Sequence, residues 1–282
     1  RRRAAHESAI RRHPRPQGLH VSPSNAMPAY SGTMEKQRLE PFPIHSLPDL
    51  KTGLAAAAQF RVRQGRPFVV LSYAQSVDGS IAGPSRERIR LSGPESMRLT
   101  HSIRSLCDAI LVGIGTLLAD DPRLTAQQVC GPDPHPVVLD TRLRTPETAR
   151  LLQRPGVRPW LVHSPAAPLE RVRALVRAGA EPTPCATAPD GRIDLAALMR
   201  LLADQSVDSV MVEGGARVIT SFIRKRLADV IIVTICPRLV GGLAAIDAAG
   251  TDNALGLHLD EPFYQTMGCD LVMWARPRWT GA

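Results

Sequence analysis

The sequence predicts an α/β protein whose largely parallel sheet ends in antiparallel strands. Three observations carry this. Apolar, β-branched runs alternate with helix-patterned segments over about 200 residues. The last two apolar runs, Val230–Ile235 and Leu271–Ala275, are joined by a long stretch without a clear helix, which suits an antiparallel closure. The chain has 282 residues, 44% hydrophobic and 22% charged, enough for a full core without disulfides or metals.

Residues 1–48 carry seven prolines and little apolar periodicity, and read as a disordered arm. The net charge of +9 is concentrated there: the first 34 residues hold six arginines and one acid. A solvated tail is the plain reading of such an arm, nucleic-acid binding the sharper one. Residues 49–65 form a helical lead-in, with Leu54, Ala55, Ala58 and Val62 at helical spacing and Gly65 and Pro67 as its stop. The body, residues 66–282, opens with a strand at Phe68–Ala74. A helix over Pro94–Leu106 follows, with Ser92 as N-cap and Met97, Thr100, His101 and Arg104 at helical spacing. Asp108–Gly113 is a strand leading into a turn at Gly113–Thr116. Further strands are expected at Pro136–Asp140, Trp160–His163 and Val207–Val212. Helices are expected at Leu169–Ala178, at Asp194–Leu202 with Asp194 as cap, and from the Gly214–Gly215 turn through Arg226.

Several functions are disfavoured. No apolar run reaches the ~18 residues of a membrane span. Aromatic residues make up 4%, too few for base-stacking platforms. The sequence has no G-x-S-x-G, no P-loop and no H-x-E…P-C-x-x-C deaminase signature. Five dispersed cysteines and eight dispersed histidines suggest free thiols in a reducing compartment and no metal site.

Glu213-Gly214-Gly215 lies at the carboxyl end of an expected buried strand, where α/β folds place ligands. Two glycines let a pyrophosphate approach the main chain, the following helix offers free N–H groups, and Glu213 can accept from sugar hydroxyls. Gly113-Ile114-Gly115 could serve likewise, but Leu118 stands where a dinucleotide fingerprint needs its third glycine. Asp120 sits in a polar turn with Asp121 and Pro122. Ser76-Val77-Asp78-Gly79 reads as an ordinary turn. By residue type alone, Arg98 and Arg104 are solvent-exposed helical arginines, of which one could clamp a phosphate.

Taken in order, RPFVVLSYAQSVDGSIAG (66–83), LSGPESMRLTHSIRSLCDAILVGIGTLLADDPRLT (91–125), PVVLDTRLRTP (136–146), SVMVEGGARVITSFI (209–223) and ICPRLVGG (235–242) resemble the reductase family of riboflavin biosynthesis. That family comprises the reductase half of the bifunctional pyrimidine deaminase/reductase and its stand-alone relatives. The resemblance implies a dihydrofolate-reductase-like mixed sheet, a homodimer and a cytoplasmic enzyme, with organelle import through the Arg-rich start as the alternative. It implies NADPH-dependent reduction of a pyrimidine ribosylamino 5′-phosphate to its ribitylamino form. On the cofactor side it places Ala74, Thr116, Asp120, Thr141 and the turn Gly214, Gly215, Ala216, Arg217 through Ser221. On the substrate side it places Arg104 on the phosphate, Leu124, Gln127, and Glu213 on the opening sugar. No general acid emerges, which leaves a bound water or a substrate hydroxyl. Two positions depart from the bifunctional bacterial pattern: Gln127 stands for an arginine and Arg90 for an aromatic. They motivate a second reading, a related reductase with another substrate. Arg142, beside Thr141, is the candidate for a 2′-phosphate partner by its charge and location.

Overall fold

The structure, a computed structural model, describes residues 45–247 and 256–280. Most of the expected arm therefore lies outside the described residues. The lead-in is two helices rather than one, α1 (Leu47–Leu54) and α2 (Ala57–Gln64). The Ser46 hydroxyl caps α1 by accepting from the Asp49 N–H. Gly65 ends α2 in the left-handed region at φ 65°, the stop that the sequence offered.

The body runs β1 (Phe68–Ser76), β2 (Ser80–Ala82), α3 (Pro94–Leu106), β3 (Ala109–Gly113), α4 (Ile114–Asp120), β4 (His135–Leu139), β5 (Trp160–His163), α5 (Leu169–Arg177), β6 (Glu181–Pro184), α6 (Leu195–Asp204), β7 (Ser209–Val212), α7 (Ala216–Arg224), β8 (Val230–Cys236), β9 (Leu243–Ala244), β10 (Leu257–Met267) and β11 (Asp270–Trp279). Among the described residues, nine strands form one sheet in the order β10-β11-β8-β1-β7-β3-β4-β5-β6. Seven of them are parallel, and β11 and β10 close the sheet antiparallel beside β8. This is the mixed sheet expected from the sequence. A separate two-stranded sheet pairs β2 with β9.

The alternation of side chains along each strand builds a core on both faces. Val69, Leu71, Val210, Val212, Ile231 and Val233 pack under α6 and α7. On the opposite face, Phe68, Val70, Met211 and Ile232 meet α1, α2 and α3. Farther along that face, Ile110, Val112, Val138 and Leu161 meet α4 and α5.

Two local expectations need correction, and two strands, β6 and β10, go beyond the sequence reading. The segment after Gly113 is a helix, not a turn. Gly93, not Ser92, is the N-cap of α3 and makes no side-chain cap; Asp270 of β11 anchors the helix start by accepting from the Gly93 N–H at 2.8 Å and from the Ser96 hydroxyl. Glu181–Pro184 is an edge strand, permitted there because prolines at a sheet edge forfeit few ladder bonds. The stretch before the final strand holds the eleven-residue β10.

Candidate active site

The parallel strands all point their carboxyl ends the same way, and there a cleft of about 1190 Å³ opens. Its lining contains twelve residues that the resemblance placed at the site: Ala74, Arg104, Thr116, Asp120, Leu124, Gln127, Thr141, Glu213, Gly214, Gly215, Ala216 and Arg217. Ser221 joins them. Arg142 is exposed and does not line the cleft; Arg144, two positions on, does. Arg98 faces away and lies 3.6 Å from Glu95.

Two loops converge at the centre. Strands β3 and β7 are neighbours, so the turns that follow them are brought together, and the Glu213 N–H donates to the Leu111 carbonyl at 2.9 Å. A Cβ on Gly215 would stand 3.3 Å from Thr116 Oγ1, nearly bridging the start of α7 to α4. Gly113 and Gly214 are small for a different reason than expected. A Cβ at Gly214 would lie 2.4 Å from Val218 Cβ, and one at Gly113 would lie 2.8 Å from Val218 Cγ2. These two glycines admit the first turn of α7 against the strand ends, while Gly115 faces open space.

Arg104 and Glu213, assigned separately to a phosphate and a sugar, are bound to each other. The guanidinium donates from Nε to Oε1 at 2.7 Å and from Nη2 to Oε2 at 2.6 Å; Nη1 donates to the Thr125 carbonyl at 2.9 Å. The side chains are 15% and 17% exposed. Burial opposes the charge on Arg104, but the Glu213 carboxylate outweighs it and raises the guanidinium pKa. Three of five N–H groups are engaged, leaving one on each Nη for a ligand.

His101 sits one helical turn before Arg104 and lines the same cleft, 4% exposed, with Nδ1 unpartnered. Burial lowers its pKa and Arg104 lowers it further, against the opposing pull of Glu213. The helical spacing of Met97, Thr100, His101 and Arg104 marks this face, and all four line the cleft, although no motif assigns His101 a role. Burial raises the pKa of Asp120, with Arg88, 3.7 Å away, pulling it back.

Among the described residues, nine arginines line the cleft (86, 88, 90, 104, 123, 144, 150, 192 and 217) against three carboxylates, Asp120, Glu213 and Asp247. Such a surplus in a concave site attracts polyanions. Among the described residues no His, Cys, Asp and Glu group could hold a metal ion. No helix among them is long and apolar enough to cross a membrane.

A profile described as the RibD C-terminal domain matches residues 67–273. The chain is 41% identical over 187 residues to the 2,5-diamino-6-ribosylamino-4(3H)-pyrimidinone 5′-phosphate reductase of Archaeoglobus fulgidus, covering 63% of this chain and 83% of that one. The protein of the same name from Methanothermobacter thermautotrophicus is 38% identical over 218 residues, 74% and 97% of the two chains. Among solved structures, Acinetobacter baumannii RibD superposes with a TM-score of 0.68 at 25% identity, covering 82% of this chain. This chain spans only 63% of that RibD chain. The riboflavin biosynthesis reductase Rib7 of Saccharomyces cerevisiae superposes with a TM-score of 0.60 at 25% identity, covering 79% of this chain and 100% of that one. A match over most of the chain, on a sheet and cleft of this form, makes the protein a member of the RibD C-terminal domain family.

Proposed function

We propose that this chain reduces the ribosylamino side chain of a pyrimidine ribosylamino 5′-phosphate to the ribitylamino form, with NADPH as reductant. The supporting observation is one cleft whose described residues include nine arginines against three carboxylates, sized for two phosphorylated ligands side by side. The two archaeal relatives of 41% and 38% identity are named for the 2,5-diamino pyrimidinone, so that form is the substrate we favour.

The residues fit a reduced dinucleotide. Gly214 and Gly215 line the cleft with bare main chain at the start of α7, where free N–H groups and the helix dipole suit a pyrophosphate. In this reading Thr141 and Arg144 receive the adenosine end beyond β4, and Ala74, near the carboxyl end of β1, lies beside the nicotinamide. When bound, the cofactor supplies hydride to C1′ of the opened, imine-bearing sugar. The protein supplies placement and keeps out water. Arg104 offers its two spare N–H groups to the substrate phosphate. Its charge is largely balanced by Glu213, so the exposed arginines around it supply the attraction. Glu213 keeps lone pairs for a sugar hydroxyl while its orientation is fixed by the guanidinium fork. A homodimer belongs to the same reading and is measurable by sedimentation.

Turnover of the aminated and deaminated pyrimidines, with NADPH and with NADH, tests the proposal through loss of reduced-nicotinamide absorbance. We expect NADPH consumption with the diamino compound, depressed in both Arg104→Ala and Glu213→Gln. Full activity in both variants removes the site assignment. Consumption with neither pyrimidine removes the function.

A further inference from the structure

The Ser76-Val77-Asp78-Gly79 segment between β1 and β2 is more than a turn. The Asp78 carboxylate accepts four hydrogen bonds. Two come from its own loop, from Ser76 Oγ at 2.6 Å and Ser80 Oγ at 2.9 Å. The other two come from across the chain, from the Val240 N–H at 3.0 Å and the Gly241 N–H at 2.7 Å, 162 and 163 residues away. An ordinary turn needs only the first two. The distant pair fastens the β1–β2 turn to the loop between β8 and β9.

That loop governs two parts of the cleft. First, it carries β9 onto β2, and Ile81, Ala82 and Leu243 of this small sheet line the cleft beside Tyr73 and Ala74 of β1. The approach is close: a Cβ on Gly242 would lie 2.0 Å from the Ala82 carbonyl oxygen. Ser80 Oγ accepts from the Gly242 N–H at 2.9 Å, and the Ala245 N–H donates to the Gly79 carbonyl at 2.9 Å. Second, Arg238 on the same loop donates from Nη1 to the Arg90 carbonyl at 2.9 Å, which ties in the segment before α3 that also lines the cleft.

We propose that Asp78 is a positioning residue for the reduction: through the 240–242 loop it sets the β2–β9 wall against the β1 end of the cleft, and the wall holds the reactive end of the cofactor. This rests on the functional reading above. Asp78 touches neither ligand and acts through Ile81, Ala82 and Leu243. Because all four partners donate, only a full carboxylate satisfies them; an asparagine would turn an amide N–H₂ toward two of the donors. The same four bonds hold the Asp78 pKa well below the usual carboxylate range, so the fastening stays charged in mildly acidic solution.

The test compares wild type with Asp78→Asn, Ser80→Ala and Gly242→Ala. It reads kcat, KM for each ligand, the kinetic isotope effect with NADPH deuterated at the transferred position, and thermal unfolding. Gly242→Ala moves the wall without touching Asp78, and Ser80→Ala weakens the fastening mildly if Asp78→Asn does not fold. A displaced wall should raise KM for NADPH by ~10-fold or more and enlarge the isotope effect, as expected when reacting atoms are misplaced by about 1 Å. A purely structural role would instead scale kcat with the folded fraction and leave KM and the isotope effect unchanged. That outcome, in variants built on an active wild type, overturns the inference alone. A wild type that leaves NADPH untouched overturns the functional reading and this inference with it.

Discussion

Arg104 and Glu213 stand 109 positions apart and meet in a two-pronged ion pair. With side chains 15% and 17% exposed, each has lost most of its water, so removal of one strands the other. Losing one partner of a buried pair costs about 3–5 kcal/mol, and the remaining exposure brings this toward about 2–3 kcal/mol here. Arg104→Ala should lower unfolding free energy by about that much in urea titration. A paired Arg104→Met, Glu213→Leu variant should recover most of the stability and none of the activity. Equal stability of the single and double variants would show that the pair is not buried enough to matter. At this scale the sequence was legible in part. The helical spacing of Met97, Thr100, His101 and Arg104 defines one face, but a lone helical arginine reads as solvated until its partner is seen. The pairing follows from the β3–β7 adjacency, which no local pattern encodes. Likewise Gln127 and Arg90, the two departures, both line the cleft.

Among the elements, α7 ties the strand ends to the cleft. Its first turn inserts Val218 over Gly113 and Gly214, where a Cβ would intrude to 2.8 and 2.4 Å. Gly214→Ala should therefore overpack this junction, destabilise by about 1–3 kcal/mol, and raise the cofactor KM by tilting the start of the helix. Val218→Ala in the same chain should relieve much of the loss. Denaturation of the two singles and the double measures that coupling, and simple additivity would refute the contact. The strongly apolar strands β1, β3, β4, β5, β7 and β8 were legible because both of their faces are buried. Strand β10 was not: Asp260, Glu261, Pro262, Phe263 and Tyr264 lie on an open edge, where polar, exposed residues break the apolar signal. Helix α4 was hidden behind Gly113 and Gly115, which read as a turn although only the first is demanded by packing.

For the molecule as a whole, buried acids set an alkaline limit. Burial pushes the Tyr73 phenol up to about 12, and burial followed by the nearby Asp270 pushes the Cys236 thiol up to about 12. In the fold both groups keep protons that the unfolded chain has already released, so the unfolded state binds fewer protons between pH ~9 and ~12. Stability is therefore unaffected below that window and falls as pH rises through it. The melting temperature should begin to drop near pH ~9, and Tyr73→Phe should flatten the decline above pH ~10. An unchanged slope in that variant would show that Tyr73 is not the source.

The strand order has a further consequence. Strand β1 forms near the start of the body, yet both of its neighbours, β7 and β8, come from residues 209–236. During synthesis the centre of the sheet must wait, with Phe68–Leu71 unpaired, until most of the domain has left the ribosome. Closing so long a loop is entropically slow, so nascent chains of this protein should spend that interval dependent on chaperones.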